Sequence, residues 1–441
     1  MRIAYIASGA AGMYCGTCIH DNTLASALIR QGHEVALIPT YTPTRTDEEN
    51  VSLDRIFFGG VNIYLQHKSA LFRHVPGLVR KLLDSRKLLD SVSRFRGSTR
   101  GEDLGGLTVD MLRGEDGHLS RELERLTAWL RDDYRPDLVE LNLCFFLGMA
   151  RTLRRELRVP VLCAVQGEDI FIDQLEEPYK GQVLDELRSR ARDVDAYIAP
   201  SRFYAQSMSD LLRAPLEMFH IVPLGIRLQG HGQGPAQPRS SEAPFTVGYL
   251  ARICPEKGLH LLAESFRLLA EKVGPSKVRL KVAGWLGQWD RPFFEAIQEQ
   301  IQQWGLQDSW EYVGELDRRR KIEFLNSLDV LCVPTVYREP KGLFVLEALA
   351  NGVPVVAPRH GSFPELIEAT GGGILVEPES AEAVAQGLEQ LMRDEELRGK
   401  LGRQGKMVVA EKFGDDGMAR RTLVVYERVS RKDAKTQRSP R

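Results

Sequence analysis

Two glutamates in the segment REPKGLFVLEALANGVPVVAP (338–358) have a spacing that suits a binding site at the start of a helix. Glu339 and Glu347 are separated by seven residues, and Gly342 lies between them where a helix is expected to begin. The amino terminus of a helix offers backbone N–H groups and the positive end of the helix dipole, which suit a phosphate. A carboxylate on that helix can accept hydrogen bonds from a ribose diol, and one in the preceding loop can reach a sugar.

Two cations lie upstream, in the segment YLARICPEKGLHLL. Arg252 and Lys257 follow a predicted strand, in a loop that leads into a helix. Two cations aimed at one site suit a diphosphate leaving group, whose negative charge grows as its bond breaks. Either residue alone would be interpreted as a solvated surface charge. The pair ahead of the two glutamates favours phosphate chemistry.

The composition indicates globular domains rather than a fibrous, disordered or membrane-spanning chain. The 441 residues correspond to two to four domains, and 43% hydrophobic residues are enough to form their cores. The net charge of −1 argues against a nucleic-acid partner. The six cysteines are too few for a secreted disulfide framework, and no uncharged apolar run approaches the roughly 20 residues of a spanning helix. We therefore expect a cytoplasmic protein.

Short apolar segments alternate with amphipathic ones along most of the chain, which predicts parallel, doubly wound α/β sheets. A segment at 227–244 that is rich in Gly, Pro, Gln and Ser predicts a linker. We expect two Rossmann-like domains, at 1–226 and 245–417, that face a cleft beyond the carboxyl ends of their strands. The predicted strands are RIAYIAS, VALIP, DLVEL, PVLCAV, AYIAP and HIVPL in the first half, and FTVGYL, KVRLKVAG, WEYV, DVLCVP, VPVVAP and GILVEP in the second. A long helical stretch is predicted over 380–412.

The stretch 42–120 does not follow this alternation and predicts an insertion in the first domain. Within it, residues 68–100 contain nine Lys or Arg against two Asp, with apolar residues near heptad spacing. Such a basic amphipathic helix can lie on anionic lipid at the inner face of a membrane. A helix packed on its own domain with a solvated basic face is the preferred interpretation.

The segments ARICPEKG, EPKGLFVLEALANGVPVVAP, HGSFPELI and GGGILVEPES resemble the C-terminal domain of family-four retaining glycosyltransferases of the GT-B fold. The resemblance covers most of residues 245–415. It implies metal-independent transfer of a sugar from a nucleotide-diphosphate sugar with retention at the anomeric carbon, and it implies no cofactor. It also implies that a last helix at about 418–432, within the C-terminal segment 418–441, crosses back to the first domain.

The resemblance also assigns parts of the donor to particular residues. The implied residues are Arg252 and Lys257 at the diphosphate, the backbone around Gly342 and Leu343 at the phosphates, Glu347 at the ribose, Leu316 of the segment VGEL at the base, and Glu339 at the sugar.

Two positions depart from the family's pattern. The family often has an aromatic residue where Lys341 stands, which either adds a cation near the phosphates or points to solvent. The family usually has a His where Gln166 follows the segment PVLCAV, and Gln cannot titrate. Gln166 can still orient donor or acceptor, because the leaving phosphate can take the acceptor proton. If acid or base catalysis is needed, the near candidates are Glu168 and Asp169. Glu140 and Asn142 end the preceding strand.

The loop SGAAGMYCGTCIHDN contains Gly9, Gly12 and Gly16, but not in the spacing G-x-G-x-x-G of a dinucleotide site. We therefore exclude nicotinamide binding. The loop, including Gly12, resembles the flexible first loop of GT-B enzymes, which meets the donor phosphate or the acceptor. Cys15 and Cys18 are placed like a redox pair, although small residues that fill a tight loop are the preferred interpretation.

Asp193 and Asp195 match a D-x-D metal motif, but they precede a strand, so a solvated turn is favoured and no metal is predicted. The hypothesis is a retaining hexosyltransferase that uses a nucleotide-sugar donor and an acceptor of unknown type: glycan, lipid or small molecule. Two alternatives stay open. One is a catalytically idle nucleotide-sugar or redox sensor, and the other is a GT-B nucleotide-sugar epimerase.

Overall fold

The computed structural model describes residues 1–9, 15–54, 57, 101–232 and 243–438, with backbone alone at 101–103 and 432–438. The chain divides into two compact units. The first unit consists of Met1–Leu224 together with Asp415–Arg441, and the second is the continuous stretch Gly225–Gly414. The predicted linker at 227–244 falls at the start of the second unit, and its residues 233–242 lie outside the described residues.

A sheet of short parallel strands forms the centre of the first unit. Its strands are β1 (Arg2–Ala7), β2 (Glu34–Pro39), β3 (Leu138–Leu141), β4 (Val161–Ala164), β5 (Ala196–Ala199) and β6 (Phe219–Ile221). Among the described residues they lie in the order β2-β1-β3-β4-β5-β6. Along β1, Ala4 and Ile6 enter one hydrophobic core, whereas Ile3 and Tyr5 enter another. Both faces of the sheet are covered, which confirms the doubly wound α/β prediction.

Helices of the N-terminal stretch connect these strands. They are α1 (Gly16–Arg30), α2 (Gly101–Arg113), α3 (Ser120–Trp129), α4 (Leu147–Leu157), α5 (Asp169–Asp173), α6 (Tyr179–Arg190) and α7 (Arg202–Leu212). Ser201 caps the start of α7, because its hydroxyl accepts a hydrogen bond of 3.1 Å from the backbone N–H of Tyr204.

The stretch predicted as an insertion, 42–120, is partly integrated into the first unit. Val109 and Leu112 of α2 are buried in its main core, so the carboxyl end of the stretch belongs to the domain itself. The basic residues 68–100, with their predicted amphipathic helix, lie outside the described residues. Over the ranges that are described, no helix is both long enough and apolar enough to cross a membrane.

The second unit repeats the parallel-sheet architecture. Its strands are β7 (Phe245–Leu250), β8 (Val278–Ala283), β9 (Trp310–Gly314), β10 (Val330–Cys332), β11 (Val355–Pro358) and β12 (Gly373–Val376). Within the described chain their order is β12-β11-β10-β7-β8-β9. Each coincides with a predicted strand to within two residues at either end. Since β7 connects to β8 on one side and β10 lies on its other side, the strand order reverses between β7 and β10.

The helices of the second unit are α8 (Leu259–Val273), α9 (Arg291–Gln303), α10 (Arg318–Asn326), α11 (Leu343–Ala350), α12 (Phe363–Thr370), α13 (Ala381–Arg393) and α14 (Glu395–Lys412). Helices near 257–272, 291–304, 317–326 and 343–350 are predicted from the sequence, and the structure has each of them to within two residues. The continuous helical stretch predicted over 380–412 is wrong. Asp394, with φ −108° and ψ 86°, interrupts it and caps the second helix by accepting a hydrogen bond from the Leu397 N–H at 2.8 Å. Helix α12 was not predicted.

The last helix, α15 (Asp415–Arg438), belongs to the first unit although it follows the second in sequence. Its residues Met418, Ala419 and Tyr426 are buried in the core that also contains Ile3 and Tyr5. At its start, Arg30 of α1 lies 2.5 Å from Asp415. The helix expected at about 418–432 therefore begins at Asp415.

Candidate functional site

A buried ion pair joins two of the predicted site residues in the second unit. Lys257 Nζ lies 2.6 Å from Glu339 Oε2 and 2.6 Å from the hydroxyl of Tyr337. That hydroxyl also donates to Glu339 Oε2. Lys257 follows β7 and Glu339 follows β10, so the pair lies where the strand order reverses. In open α/β sheets this is the place where ligands bind.

The chain reaches this arrangement through two glycines that allow close backbone approach. Gly258, with φ +72°, ends the turn after Lys257, and a Cβ there would lie 1.8 Å from the carbonyl oxygen of Pro334. Gly361, with φ +60°, packs against Glu339, where a Cβ would lie 2.6 Å from the Glu339 carbonyl oxygen. The two glycines fix the backbone on either side of the ion pair. Gly258 ends the segment ARICPEKG and Gly361 belongs to HGSFPELI, so both segments contribute backbone to the site.

Glu339 is a carboxylate at neutral pH. Burial by itself raises the pKa of Glu339, but the charge and hydrogen bond of Lys257, with further hydrogen bonds from Tyr337 and the Gly342 N–H, lower it to about 2. Tyr337 was missed by the sequence prediction. The available signal was its position two residues before Glu339, in the loop that follows β10.

Other predicted donor-binding residues lie on the same loops. The side chain of Arg252 is exposed, and its Nε lies 3.4 Å from Cys254 Sγ. The backbone N–H groups of Lys341 and Gly342 lie 3.3 and 3.2 Å from Glu339 Oε1. Because Glu339 engages these two groups, the N–H groups left for a ligand at this helix terminus are those of α11 itself, which begins at Leu343. Leu316 is buried in the loop after β9.

Glu347, which is expected at the ribose, takes part in a second buried ion pair. Its Oε1 lies 2.5 Å from Lys321 Nζ, and both side chains are more than nine-tenths buried. Lys321 projects from α10 and was not identified from the sequence. A buried carboxylate with a counter-charge on one oxygen keeps its other oxygen for a ligand, so the pair is compatible with a hydrogen bond from a diol.

Replacing Lys321 with methionine is expected to lower the free energy of unfolding by about 3–5 kcal/mol, because Glu347 would be left buried without its counter-charge. Adding Glu347→Gln should recover most of the loss. Urea unfolding followed by circular dichroism measures both. Lys272→Met is the control, since Lys272 is 60% exposed in its pair with Glu389 and should contribute no more than about 1 kcal/mol. Equal losses for Lys321→Met and Lys272→Met would contradict the prediction.

The predicted residue Gln166 of the first unit belongs to a buried polar cluster. Gln166 Nε2 donates to Asp21 Oδ1 at 2.9 Å and to the carbonyl oxygen of Asn142 at 3.0 Å. Asn142 Nδ2 donates to Asp21 Oδ2 at 2.7 Å, and the Tyr5 hydroxyl donates to Asp21 Oδ1 at 2.8 Å. Asp21 and Tyr5 were not singled out from the sequence. The structure therefore brings Gln166 and Asn142 together around an unforeseen carboxylate.

Glu168 has a structural role in the loop that carries Gln166. Its Oε2 accepts the backbone N–H groups of Gln166 and Gly167 at 2.6 and 2.8 Å, and its Oε1 accepts that of Cys144 at 3.0 Å. A carboxylate engaged in this way is poorly placed to exchange protons with a ligand. Asp169, which is half-buried, remains as the acid or base candidate. Burial raises its pKa, while a hydrogen bond of 2.8 Å from Tyr204 opposes the rise.

Glu140 anchors the last helix rather than facing a ligand. It is buried, and the Tyr426 hydroxyl of α15 donates a hydrogen bond to its Oε2. Burial raises the pKa of Glu140 to about 8; the hydrogen bond from Tyr426 lowers it, and the charge of Asp21 raises it further.

Glu140→Gln is expected to gain thermal stability relative to the natural chain as the pH rises from about 4.5 to 8. A carboxyl whose pKa is higher in the folded state stabilises the fold fully below its ordinary pKa, and that stabilisation is lost as the pH rises through the folded value. The amide does not titrate, and each pKa unit corresponds to about 1.4 kcal/mol. Melting temperatures of both chains across this range, with the exposed Glu124→Gln as control, measure the difference. Parallel curves for Glu140→Gln and the natural chain would contradict it.

The remaining predicted residues give no second centre of chemistry. Gly12 lies outside the described residues. Cys15 directly precedes α1, Cys18 is buried in its first turn, and the two form no disulfide. Asp195 accepts the backbone N–H of Val161 at 2.9 Å and pairs with Arg154, which fits a structural turn. Across the described part of the chain, no group of three or more His, Cys, Asp or Glu residues is arranged to hold a metal ion.

Comparison with known sequences matches both units to glycosyltransferases. The family described as "Glycosyl transferase 4-like domain" matches residues 20–225, and "Glycosyl transferases group 1" matches residues 234–408. D-inositol 3-phosphate glycosyltransferase of Xylanimonas cellulosilytica is 29% identical over 57% of this chain and 61% of its own length. MMP alpha-(1->4)-mannosyltransferase of Mycolicibacterium hassiacum is 29% identical over 55% of this chain and 56% of its own.

The similarity to curated relatives covers only part of them. The putative colanic acid biosynthesis glycosyltransferase WcaL of Escherichia coli is 30% identical over 41% of this chain and 44% of its own length. The chain thus spans about half the length of the curated relatives that it matches.

Solved structures resemble the fold over nearly the whole chain. Sucrose-phosphate synthase from Thermosynechococcus elongatus has a TM-score of 0.70 at 18% identity, covering 97% of this chain and 99% of that one. Anabaena HepE in complex with UDP has a TM-score of 0.69 at 15% identity, covering 97% and 100%. With these folds and with two glycosyltransferase families matched over nearly all of its length, the chain belongs to the group 1 glycosyltransferases of the GT-B fold.

Proposed function

We propose that this protein transfers a hexose from a nucleotide-diphosphate sugar to an acceptor hydroxyl, with retention at the anomeric carbon and without a metal ion. The observation that carries the proposal is the buried group formed by Lys257, Tyr337 and Glu339 where the strand order of the second unit reverses. A fixed cation and a fixed carboxylate at one point suit a ligand that combines a diphosphate with sugar hydroxyls.

The roles in this proposal follow from charge and position. Lys257 and Arg252 neutralise the diphosphate as it leaves, which is the task that a metal ion performs in other transferases. Glu339 accepts hydrogen bonds from the transferred sugar, and Glu347 accepts them from the ribose. Backbone N–H groups from Leu343 onward meet the phosphates. Leu316 contacts the base, and Lys341 adds positive charge nearby.

Proton transfer in this proposal needs no histidine. In a front-face reaction the acceptor hydroxyl attacks on the side from which the diphosphate leaves, and the departing phosphate oxygen takes its proton. Gln166 then orients a hydroxyl of one reactant, which requires no titration. Asp169 is the alternative proton acceptor, since Glu168 is committed to backbone N–H groups.

For the acceptor and the cellular location, the proposal names only a class of molecule and a compartment. The acceptor is a hydroxyl of a glycan, lipid or small molecule, and Gly12 and the first loop are expected near it or near the donor phosphate. A cytoplasmic location, with contact to the inner face of a membrane through residues 68–100, remains a prediction.

Thermal stabilisation by nucleotide sugars tests the proposal most directly, because a ligand that binds the folded state raises the melting temperature. UDP-, GDP- and ADP-sugars should be compared, starting with UDP-glucose, which has been solved bound to HepE. The stabilising donor is then incubated with acceptors in the presence of EDTA. We expect transfer that survives EDTA and yields the anomeric configuration of the donor. Inverted product, loss of activity with EDTA, or isomerised donor without acceptor would each contradict the proposal.

A further inference from the structure

The carboxylate of Asp21 holds two amide side chains of the first unit in fixed orientations. Asp21 is fully buried in α1. Its Oδ1 accepts from Gln166 Nε2 at 2.9 Å, and its Oδ2 accepts from Asn142 Nδ2 at 2.7 Å. Asp21 lies 145 positions from Gln166 and 121 from Asn142 in sequence, and the fold brings the three residues to one point.

The chemistry of the partners decides which end of each amide faces Asp21. A carboxylate only accepts hydrogen bonds at neutral pH, and so does the carbonyl oxygen of Asn142, which lies 3.0 Å from the same nitrogen of Gln166. The NH₂ groups of both side chains must therefore face inward. The carbonyl oxygens, Gln166 Oε1 and Asn142 Oδ1, are left on the other side, where both are buried and have no hydrogen-bond partner among the residues that the structure describes.

A buried acceptor without a partner is unfavourable, because it has lost its hydrogen bond to water and gained none in the fold. Folded proteins retain such groups chiefly at sites where something else supplies the hydrogen bond. The fold places them where ligands bind. Asn142 directly follows β3, Gln166 follows β4, and Asp21 lies on the helix after β1. The strand order β2-β1-β3-β4 reverses between β1 and β3, and ligands of open α/β sheets bind beyond that point.

We propose that Asp21 is a positioning residue that fixes Gln166 and Asn142 with their carbonyl oxygens turned to accept hydrogen bonds from hydroxyl groups of a sugar reactant. The inference rests on the proposed function for the identity of that reactant. A pair of carbonyl oxygens attracts hydroxyl hydrogens and repels phosphate oxygens. This pair of carbonyl oxygens therefore recognises a polyol part of donor or acceptor and not the diphosphate.

The positioning contact can be tested without any ligand. In Gln166→Glu the introduced carboxylate lies beside that of Asp21, and two carboxyls this close hold one proton between them to unusually high pH. The melting temperature of this variant is expected to fall steeply between pH 5 and 8. Adding Asp21→Asn should remove most of that fall. If the single and double variants have the same pH dependence, Asp21 does not position Gln166.

The chain offers a matched control on its surface. Gln206 of α7 is exposed and donates to Asp210 at 2.9 Å, the same distance as in the buried pair. Gln206→Glu creates the same pair of charges in water and is expected to show little pH dependence. The other titratable groups around Asp21 are Tyr5 on β1, His20 on α1, Glu140 on β3, Glu168 before α5 and Tyr426 on α15. Because the charge of Asp21 raises the pKa of Glu140, Asp21→Asn alone is also measured, and its pH dependence is subtracted from that of the double variant.

The hydroxyl contact is tested with monodeoxy analogues of the donor sugar and of the acceptor found in the nucleotide-sugar screen. In the natural chain, one analogue is expected to lower kcat/KM by about tenfold or more, because the site's acceptor is left unpaired. In Gln166→Ala the same analogue should be no worse than the complete substrate. The inference is overturned if every analogue lowers kcat/KM by the same factor in both chains. It is also overturned if Gln166→Ala transfers the complete substrate at the natural rate. In either case an ordered water alone satisfies Gln166 Oε1.

The two tests separate the failures. If no nucleotide sugar supports transfer, the proposed function is wrong, while the melting experiment still reports on Asp21 and Gln166. If transfer occurs and the analogues show no selective loss, the proposed function stands and the hydroxyl-binding role is wrong.

Discussion

Lys257→Ala is expected to reduce kcat/KM for sugar transfer by about 10²–10³-fold, with most of the loss in kcat. The ammonium group is fixed by Glu339 and Tyr337 at 2.6 Å each, so it need not reorganise when charge develops on a leaving diphosphate. Its side chain is 18% exposed, which leaves one side open to a ligand. Steady-state kinetics with the donor found by thermal stabilisation measures the loss.

The control for this variant is Lys272→Ala, which removes a lysine from the far end of α8, the helix that follows Lys257. Lys272 is 60% exposed and pairs with Glu389, so its loss should leave kcat/KM unchanged. Lys257→Ala also leaves Glu339 without its cation, and a fall in melting temperature is expected with it. Activity must therefore be measured below that temperature. Transfer by folded Lys257→Ala at the natural rate would remove Lys257 from the site.

Glu339→Gln is expected to lower kcat by about 10²–10³-fold while the chain stays folded. The amide has the size of the carboxylate but presents only one accepting oxygen, so it cannot accept from the sugar and hold Lys257 equally well. Donor binding is expected to be retained better than turnover, because the phosphates are bound elsewhere. Isothermal titration together with kcat separates these two effects.

The same variant has a predicted acid dependence. The pKa of Glu339 is about 2 in the folded chain, against an ordinary value of 4.5. This carboxylate therefore stabilises the fold above about pH 4.5 and loses that contribution as the pH falls toward 2. Glu339→Gln should lose less stability than the natural chain over that range. Glu368→Gln, an exposed change on α12, is the control. Unchanged kcat in Glu339→Gln would exclude a role in transfer.

The strands and the loops after them could be predicted from the sequence, because each strand is a short buried segment bounded by turn residues. The sequence therefore locates Lys257 and Glu339 correctly at the ends of two strands, and the structure brings them together. Tyr337 lies in the same loop after β10 as Glu339, but no motif or spacing in the sequence marks it as a site residue. Only the distance between the Tyr337 hydroxyl and Lys257 Nζ shows that the two share a site.

The contacts that the sequence could not provide are those between distant segments. Lys321 is one of four consecutive cations on α10, and its sequence alone does not show that this one is buried against Glu347. Asp21 lies in a helix that reads as amphipathic, so its burial beneath Asn142 and Gln166 has no local signal. Glu168 shows that proximity in sequence does not establish a role at the site. It lies two residues after Gln166, but its carboxylate accepts hydrogen bonds from three backbone N–H groups.

The return of α15 to the first unit sets an order for synthesis on the ribosome. Every residue of the second unit emerges before Tyr426, which packs in the core of the first. The second unit then has all of its residues, whereas the first still lacks the helix whose Tyr426 donates a hydrogen bond to Glu140. The amino-terminal half is therefore the last to mature. In a nascent chain stalled at Gly414, the core of the first unit that contains Ile3 and Tyr5 lacks the side chains of α15. Chaperones would therefore meet an incomplete domain.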